Sequence, residues 1–173
     1  DELGVADAAA RRAAALDEAR RQEEERTLRE LEVQVWLELD NLVDPDGQRG
    51  EGAMTRVMTD ADVPVPLLGL LPPPPATGWP ESFGLQAQAE RTRARARLEA
   101  LVADGGQTAA VIAAIDERYP VLRRAERLSY AIWAAIANEE GAPLQRVLEA
   151  KSTAERLRFA VLRMRRLTGR SFR

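Results

Sequence analysis

The stretch that decides the fold is Leu28 to Val43, LRELEVQVWLELDNLV. Leu28, Leu31, Val35, Trp36, Leu39, Leu42 and Val43 return at steps of three and four, which lines one side of an α-helix with apolar groups and leaves the charges elsewhere. Residues 6–43 contain neither Pro nor Gly, so the sequence predicts one long helix over 1–43. Its first half, Ala8 to Glu25, has Leu16 as its one large apolar residue, so tertiary packing holds the second half more firmly. Asp44-Pro45-Asp46-Gly47 is the turn that ends it.

Working outward, residues 44–82 carry eight of the ten prolines: Pro45, Pro64, Pro66, Pro72, Pro73, Pro74, Pro75 and Pro80. Proline removes a backbone donor and fixes φ, so this density predicts neither helix nor central strand. Val63-Pro64-Val65-Pro66-Leu67-Leu68-Gly69-Leu70-Leu71 is too apolar for a free linker and is expected to cross the helices as an extended arm. Pro72 to Pro75 form a stiff polyproline II segment, ending at Trp79-Pro80.

Helical periodicity resumes over 83–168. The expected segments are Leu85 to Asp104, broken at Gly105-Gly106, Gln107 to Arg118, and Val121 to Ala137. In the last of these, Leu128, Ile132, Ala135 and Ile136 share a face that Tyr130, Trp133 and Ala137 widen, placing it at the centre of a bundle. A short helix follows Pro143 with Leu144, Val147 and Leu148 as its buried side. Ser152-Thr153-Ala154-Glu155 is a capping box opening a final helix striped by Leu157, Ala160, Val161, Met164 and Leu167. The fold class is therefore all-α, a bundle of about five to six helices with a long Pro-rich arm.

Composition removes most catalytic toolkits. The 173 residues include no Cys and no His, which excludes thiolate nucleophiles, disulfides, Cys/His zinc sites and imidazole acid–base chemistry. A Ser–Lys dyad would have to use Lys151, the single lysine, with Ser82, Ser129, Ser152 or Ser171, and no nucleophile turn surrounds any of them. The carboxylates Glu23, Glu24, Glu25, Glu139 and Glu140 read as solvated charges, and no phosphate-cradling G-x-x-x-x-G-K-[ST] motif occurs. The expectation is a chain with no catalytic residues, no metal and no cofactor. No apolar run approaches the roughly 18 residues of a membrane span, so a soluble, intracellular protein without a transmembrane segment is expected. A start at Asp1 without the basic start and apolar core of a secretory signal implies processing or upstream sequence.

Charge is unevenly distributed. Residues 1–62 carry a net −9, residues 63–155 a net −1, and residues 156–173 a net +7 from arginines without one acid. The acidic first helix and the last helix are expected to attract one another, or the last to meet an anionic partner. Arg91, Arg93, Arg95 and Arg97 split between two helix faces, so they form no single basic patch, and nucleic acid is a partner class that the residues do not support. The partner-binding candidates are Pro72, Pro73, Pro74, Pro75 and Trp79 on the arm, together with Arg163, Arg166 and Arg170 near the basic tail of 169–173.

Four segments carry a resemblance: Leu128-Ser129-Tyr130; Glu140-Gly141-Ala142-Pro143; Gln145-Arg146-Val147-Leu148-Glu149; and Ser152-Thr153-Ala154-Glu155-Arg156-Leu157. Together they resemble the end of the LON domain, the amino-terminal substrate-binding domain of Lon proteases. They are more similar still to the stand-alone LON-domain proteins of plant and algal chloroplasts. The likeness covers residues 121–168, with Glu32 to Leu42 matching the helix that opens the family's helical lobe, and residues 44–120 match nothing in it. The family's β lobe, ATPase and peptidase have no counterpart in these residues. The resemblance thus implies protein recognition without proteolysis: a non-catalytic protein-binding or adaptor module with a protein client, in a chloroplast rather than the alternative bacterial cytoplasm. The second reading from the sequence is a structural subunit of a large multiprotein or RNA-containing assembly, fixed by its proline arm and arginine tail. Its RNA contacts would weaken steeply with salt.

Overall fold

The computed structural model describes residues 2–43, 58, 63–104, 121–137 and 144–169, and among these the secondary structure is helical, without strands. Six helices are described: α1 (Glu2–Leu42), α2 (Val65–Leu68), α3 (Leu85–Asp104), α4 (Val121–Ile136), α5 (Leu144–Glu149) and α6 (Thr153–Leu167). The helix expected over Gln107 to Arg118 and the tail from Arg170 to Arg173 lie outside the described residues.

The second half of α1 packs against α4 and α6, which also pack against each other. Val35, Trp36 and Leu39 of α1, Leu128 and Ile132 of α4, and Leu157 and Met164 of α6 have no more than a trace of exposed surface. Ala125 and Ala160 are fully buried as well, and their lack of bulk lets the helix backbones approach closely. Trp36, Ile132, Trp133 and Ile136 thus take the core positions that the helical spacing predicts. Upstream the pattern thins as expected. Leu28 is the first buried residue of α1 among those whose side chains are described, and before it the helix is supported by local pairs: Arg21 with Glu18, Gln22 with Glu18 at 2.8 Å, and Arg26 with Glu23 at 2.7 Å. Such exposed pairs contribute little each.

The Pro-rich segment departs from the expected extended arm at its start. Val65–Leu68 is a single helical turn. Pro64 is its N-cap at φ −62°, ψ 136°, and Pro66 lies within the first turn, where a helix has no partner for an amide proton in any case. Leu67 and Leu68 donate to the Pro64 carbonyl at 2.9 and 3.1 Å. The expected packing across the helices does occur: Val63, Leu67, Leu68 and Leu71 are buried, and α2 rests on α3 and α4. Burial of a leucine contributes about 1.5–3 kcal/mol, enough to hold a short segment against the bundle. Upstream of it, Met58 donates to the Leu42 carbonyl at 3.1 Å.

Two further expectations are corrected. Val147 is buried on α5, but Leu144 and Leu148 are exposed, because a helix of six residues turns one side chain fully inward and leaves its neighbours at the rim. Tyr130 is half-exposed rather than part of the core face, since its ring lies under the guanidinium of Arg156. The capping box of α6 is present with one change of partner. Ser152 Oγ accepts from Glu155 N at 3.1 Å, while Glu155 reaches past the cap residue to the amide of Lys151 at 2.9 Å.

Ile132 is fully buried on α4, so Ile132→Ala should destabilise the protein by about 2–5 kcal/mol through the cavity it leaves. Equilibrium urea unfolding measures this directly, and a midpoint equal to that of the parent would place α4 at the periphery.

Candidate functional site

Three polar clamps fix the elements that carry the candidate residues. The first joins α1 to α4. Glu32, fully buried, accepts from Arg124 Nε at 2.8 Å and from Arg124 Nη2 at 2.9 Å, a two-pronged pairing that matches the guanidinium fork to both carboxylate oxygens. Burial pushes the Glu32 carboxyl above its ordinary value; the hydrogen bond and charge of Arg124, and the charge of Arg29, oppose that rise. The second joins α1 to α6, with Arg165 Nε donating to Glu38 Oε1 at 2.7 Å.

The third clamp gathers the carboxyl-terminal helices around Arg156, which is 8% exposed. Its Nε donates to Ser129 Oγ at 3.0 Å, Nη1 to the Ala150 carbonyl at 3.4 Å and Nη2 to Thr153 Oγ1 at 3.2 Å, with the guanidinium carbon 4.5 Å from the Tyr130 ring centroid. Ser129 Oγ in turn donates to the Glu126 carbonyl at 2.6 Å. The Ser129-Tyr130 and Arg156 segments therefore meet in space, joining α4, the end of α5 and the start of α6. Ser129 and Ser152 are committed to a clamp and a cap, respectively.

The arm is held at both ends. At its start Arg93 of α3 donates through Nη2 to the Leu71 carbonyl at 2.9 Å and to the Gly69 carbonyl at 3.4 Å. At its far end Trp79 stacks on the buried Phe83 ring, centroids 4.3 Å apart and planes 20° from parallel. The next helix is then capped from a distance: Asp40 of α1 accepts from Leu85 N, the first amide of α3, at 3.0 Å. Between the anchors Gly78 donates to the Pro75 carbonyl at 2.7 Å in a turn where Gly78 has φ +74°, a backbone conformation that favours glycine.

These anchors settle where the candidate residues lie. Pro72 is buried, Pro73 and Pro74 are exposed, and Pro75 and Trp79 are half-buried, so the five occupy one arm but not one face. On α6, Arg166 is exposed, Arg163 is half-buried and engaged, and Arg170 lies outside the described residues. Arg165 of this helix, a residue that charge counting alone could not single out, meets the acidic first helix at Glu38. Arg93, Arg124 and Arg156 were also missed as structural residues. The serine at 129, on an apolar face one helical turn from Ala125 and Ile132, was the available signal for a buried polar partner.

Among the described residues no group of three or more acidic side chains is placed to hold a metal ion, and no helix is long and apolar enough to cross a membrane. No known family model, no curated protein and no solved structure matches this chain.

Two predictions follow the clamps. Removing the hydroxyl in Ser129→Ala leaves the Arg156 Nε donor buried without that acceptor, which should cost about 1–3 kcal/mol in chemical unfolding. For Glu32, a folded-state carboxyl raised above its unfolded value adds stability that is fully present below the unfolded value and is lost as pH rises through the folded one. The stability of the parent relative to Glu32→Gln should therefore fall as pH is raised from about 4 to about 7, read from unfolding curves at each pH.

Proposed function

We propose that this chain is a non-catalytic protein-binding module whose contact element is the arm between α2 and α3. One observation carries the reading: the arm is tied to the bundle at Leu71 and at Trp79–Phe83, yet turns Pro73, Pro74 and Ala76 to solvent. A linker needs no such anchoring, whereas a binding element gains from it, because a segment already fixed loses less conformational freedom when a partner arrives. The similarity of residues 121–168 to the helical lobe of LON domains points the same way, toward recognition of protein without cleavage. That similarity is also the sole ground for favouring a chloroplast setting.

A photoreactive benzoylphenylalanine in place of Ala76 tests the reading in intact cells. The expected outcome is a discrete crosslinked partner, with none from the same group placed at Ala13 on the exposed first half of α1. Equal, diffuse labelling from both positions would refute it. Loss of the Ala76 product on ribonuclease treatment would favour the RNA-containing assembly instead.

A further inference from the structure

From the way the four consecutive prolines meet solvent, we infer that the arm is a preformed polyproline II ligand read by a partner with an aromatic-lined groove. The inference rests on the protein-binding reading above and names the chemistry of the partner.

Pro72 is buried, Pro73 and Pro74 are exposed, and Pro75 is half-buried. A polyproline II helix has three residues per turn, so residues three apart share an edge. Pro72 and Pro75 thus form the edge that lies toward the bundle, and Pro73 and Pro74 supply the two edges that face away. A three-fold helix resting on one edge produces this order of burial.

The backbone agrees. The carbonyl just before the run, that of Leu71, is taken by Arg93, and the carbonyl that ends it, that of Pro75, is taken by Gly78. Among the described residues, nothing donates to the carbonyls of Pro72, Pro73 and Pro74. Proline has no amide proton, so the exposed run offers ring faces and acceptors and no donor. The complement is a pair of aromatic side chains to grip the rings and an indole or phenol hydrogen to meet a carbonyl, which is the chemistry of grooves that read Pro-rich segments.

The geometry also sets the strength. Two outward rings fill one slot rather than the two or more of a long proline ligand, so each contact is weak. Anchoring at Leu71 and at Trp79–Phe83 compensates by removing the ordering cost.

The experiment titrates the full chain into an isotope-labelled WW domain, and separately into an SH3 domain, followed by the nuclear magnetic resonance signals of their groove aromatics. The expected result is movement of those signals in at least one domain by a chain concentration of about 1 mM, weakened at least about tenfold by the double change Pro73→Ala and Pro74→Ala. Both positions are exposed, so the double variant should melt with the parent, and that measurement accompanies the titration. Silence from both domains, or equal binding by the double variant, overturns the inference. If both domains are silent while Ala76 still gives a discrete crosslinked protein, the partner chemistry is wrong and the protein-binding reading stands.

Discussion

The structure depends on the burial of the second half of α1 between α4 and α6. Leu28 to Val43 supplies the apolar surface, but the same stretch carries Glu32 and Glu38 into the interior with it. A carboxylate removed from water is costly unless a cation follows it. Arg124 from α4 and Arg165 from α6 do so, one from each of the two helices that bury the second half of α1. The balance is not symmetrical. Glu32 has its carboxyl raised despite a two-pronged arginine, so desolvation outweighs the pairing there. Such pairs fix which helix faces which in a bundle of Ala- and Leu-rich helices more than they add stability, since shifting α1 by a turn would strand both acids.

The other side of the bundle is referred back to this frame by the packing of α2 and by a few side-chain contacts. Asp40, near the end of α1, sets the first amide of α3. Arg93 on α3 then fixes the carbonyls where the proline run begins. The position of the arm is thus inherited from α1 through three hydrogen bonds, one to Asp40 and two from Arg93, and through the burial of Leu67, Leu68 and Leu71. This explains how a proline-rich segment can keep a defined place: the amides it retains close local turns at Leu67 to Leu71 and at Gly78, and Arg93 addresses the carbonyls of Gly69 and Leu71 from α3.

The carboxyl-terminal helices show the same economy. The short α5 buries Val147 and little else, which is too small an apolar face to hold a six-residue helix. Arg156 makes up the difference by binding the Ala150 carbonyl at the end of α5 while touching Ser129 and Tyr130 on α4. Leu128 to Tyr130 and Ser152 to Leu157 build this corner, so the spacing of these segments has a structural reason of its own.

The sequence by itself determined the helices and their inward faces. The three- and four-residue recurrence of Leu28 to Val43, of Leu128 to Ile136 and of Leu157 to Met164 is a local property of the chain, and burial of those residues follows from it. Local too is the Ser152 cap, since its partners lie within three residues. Tertiary structure decided what distance along the chain conceals. Arg165 lies 127 residues from Glu38 and Arg124 lies 92 from Glu32, so no periodicity could pair them. Charge counting on the last helix pointed outward to Arg163, Arg166 and Arg170, because it treats every arginine alike. Arg165 turns toward a buried acid on α1 and Arg156 toward a buried serine on α4, and neither partner is visible from the last helix alone. The helical turn at Val65–Leu68 was hidden for a related reason: prolines argue against a helix until a packed neighbour makes a single turn worth forming, and that neighbour exists only in the folded chain.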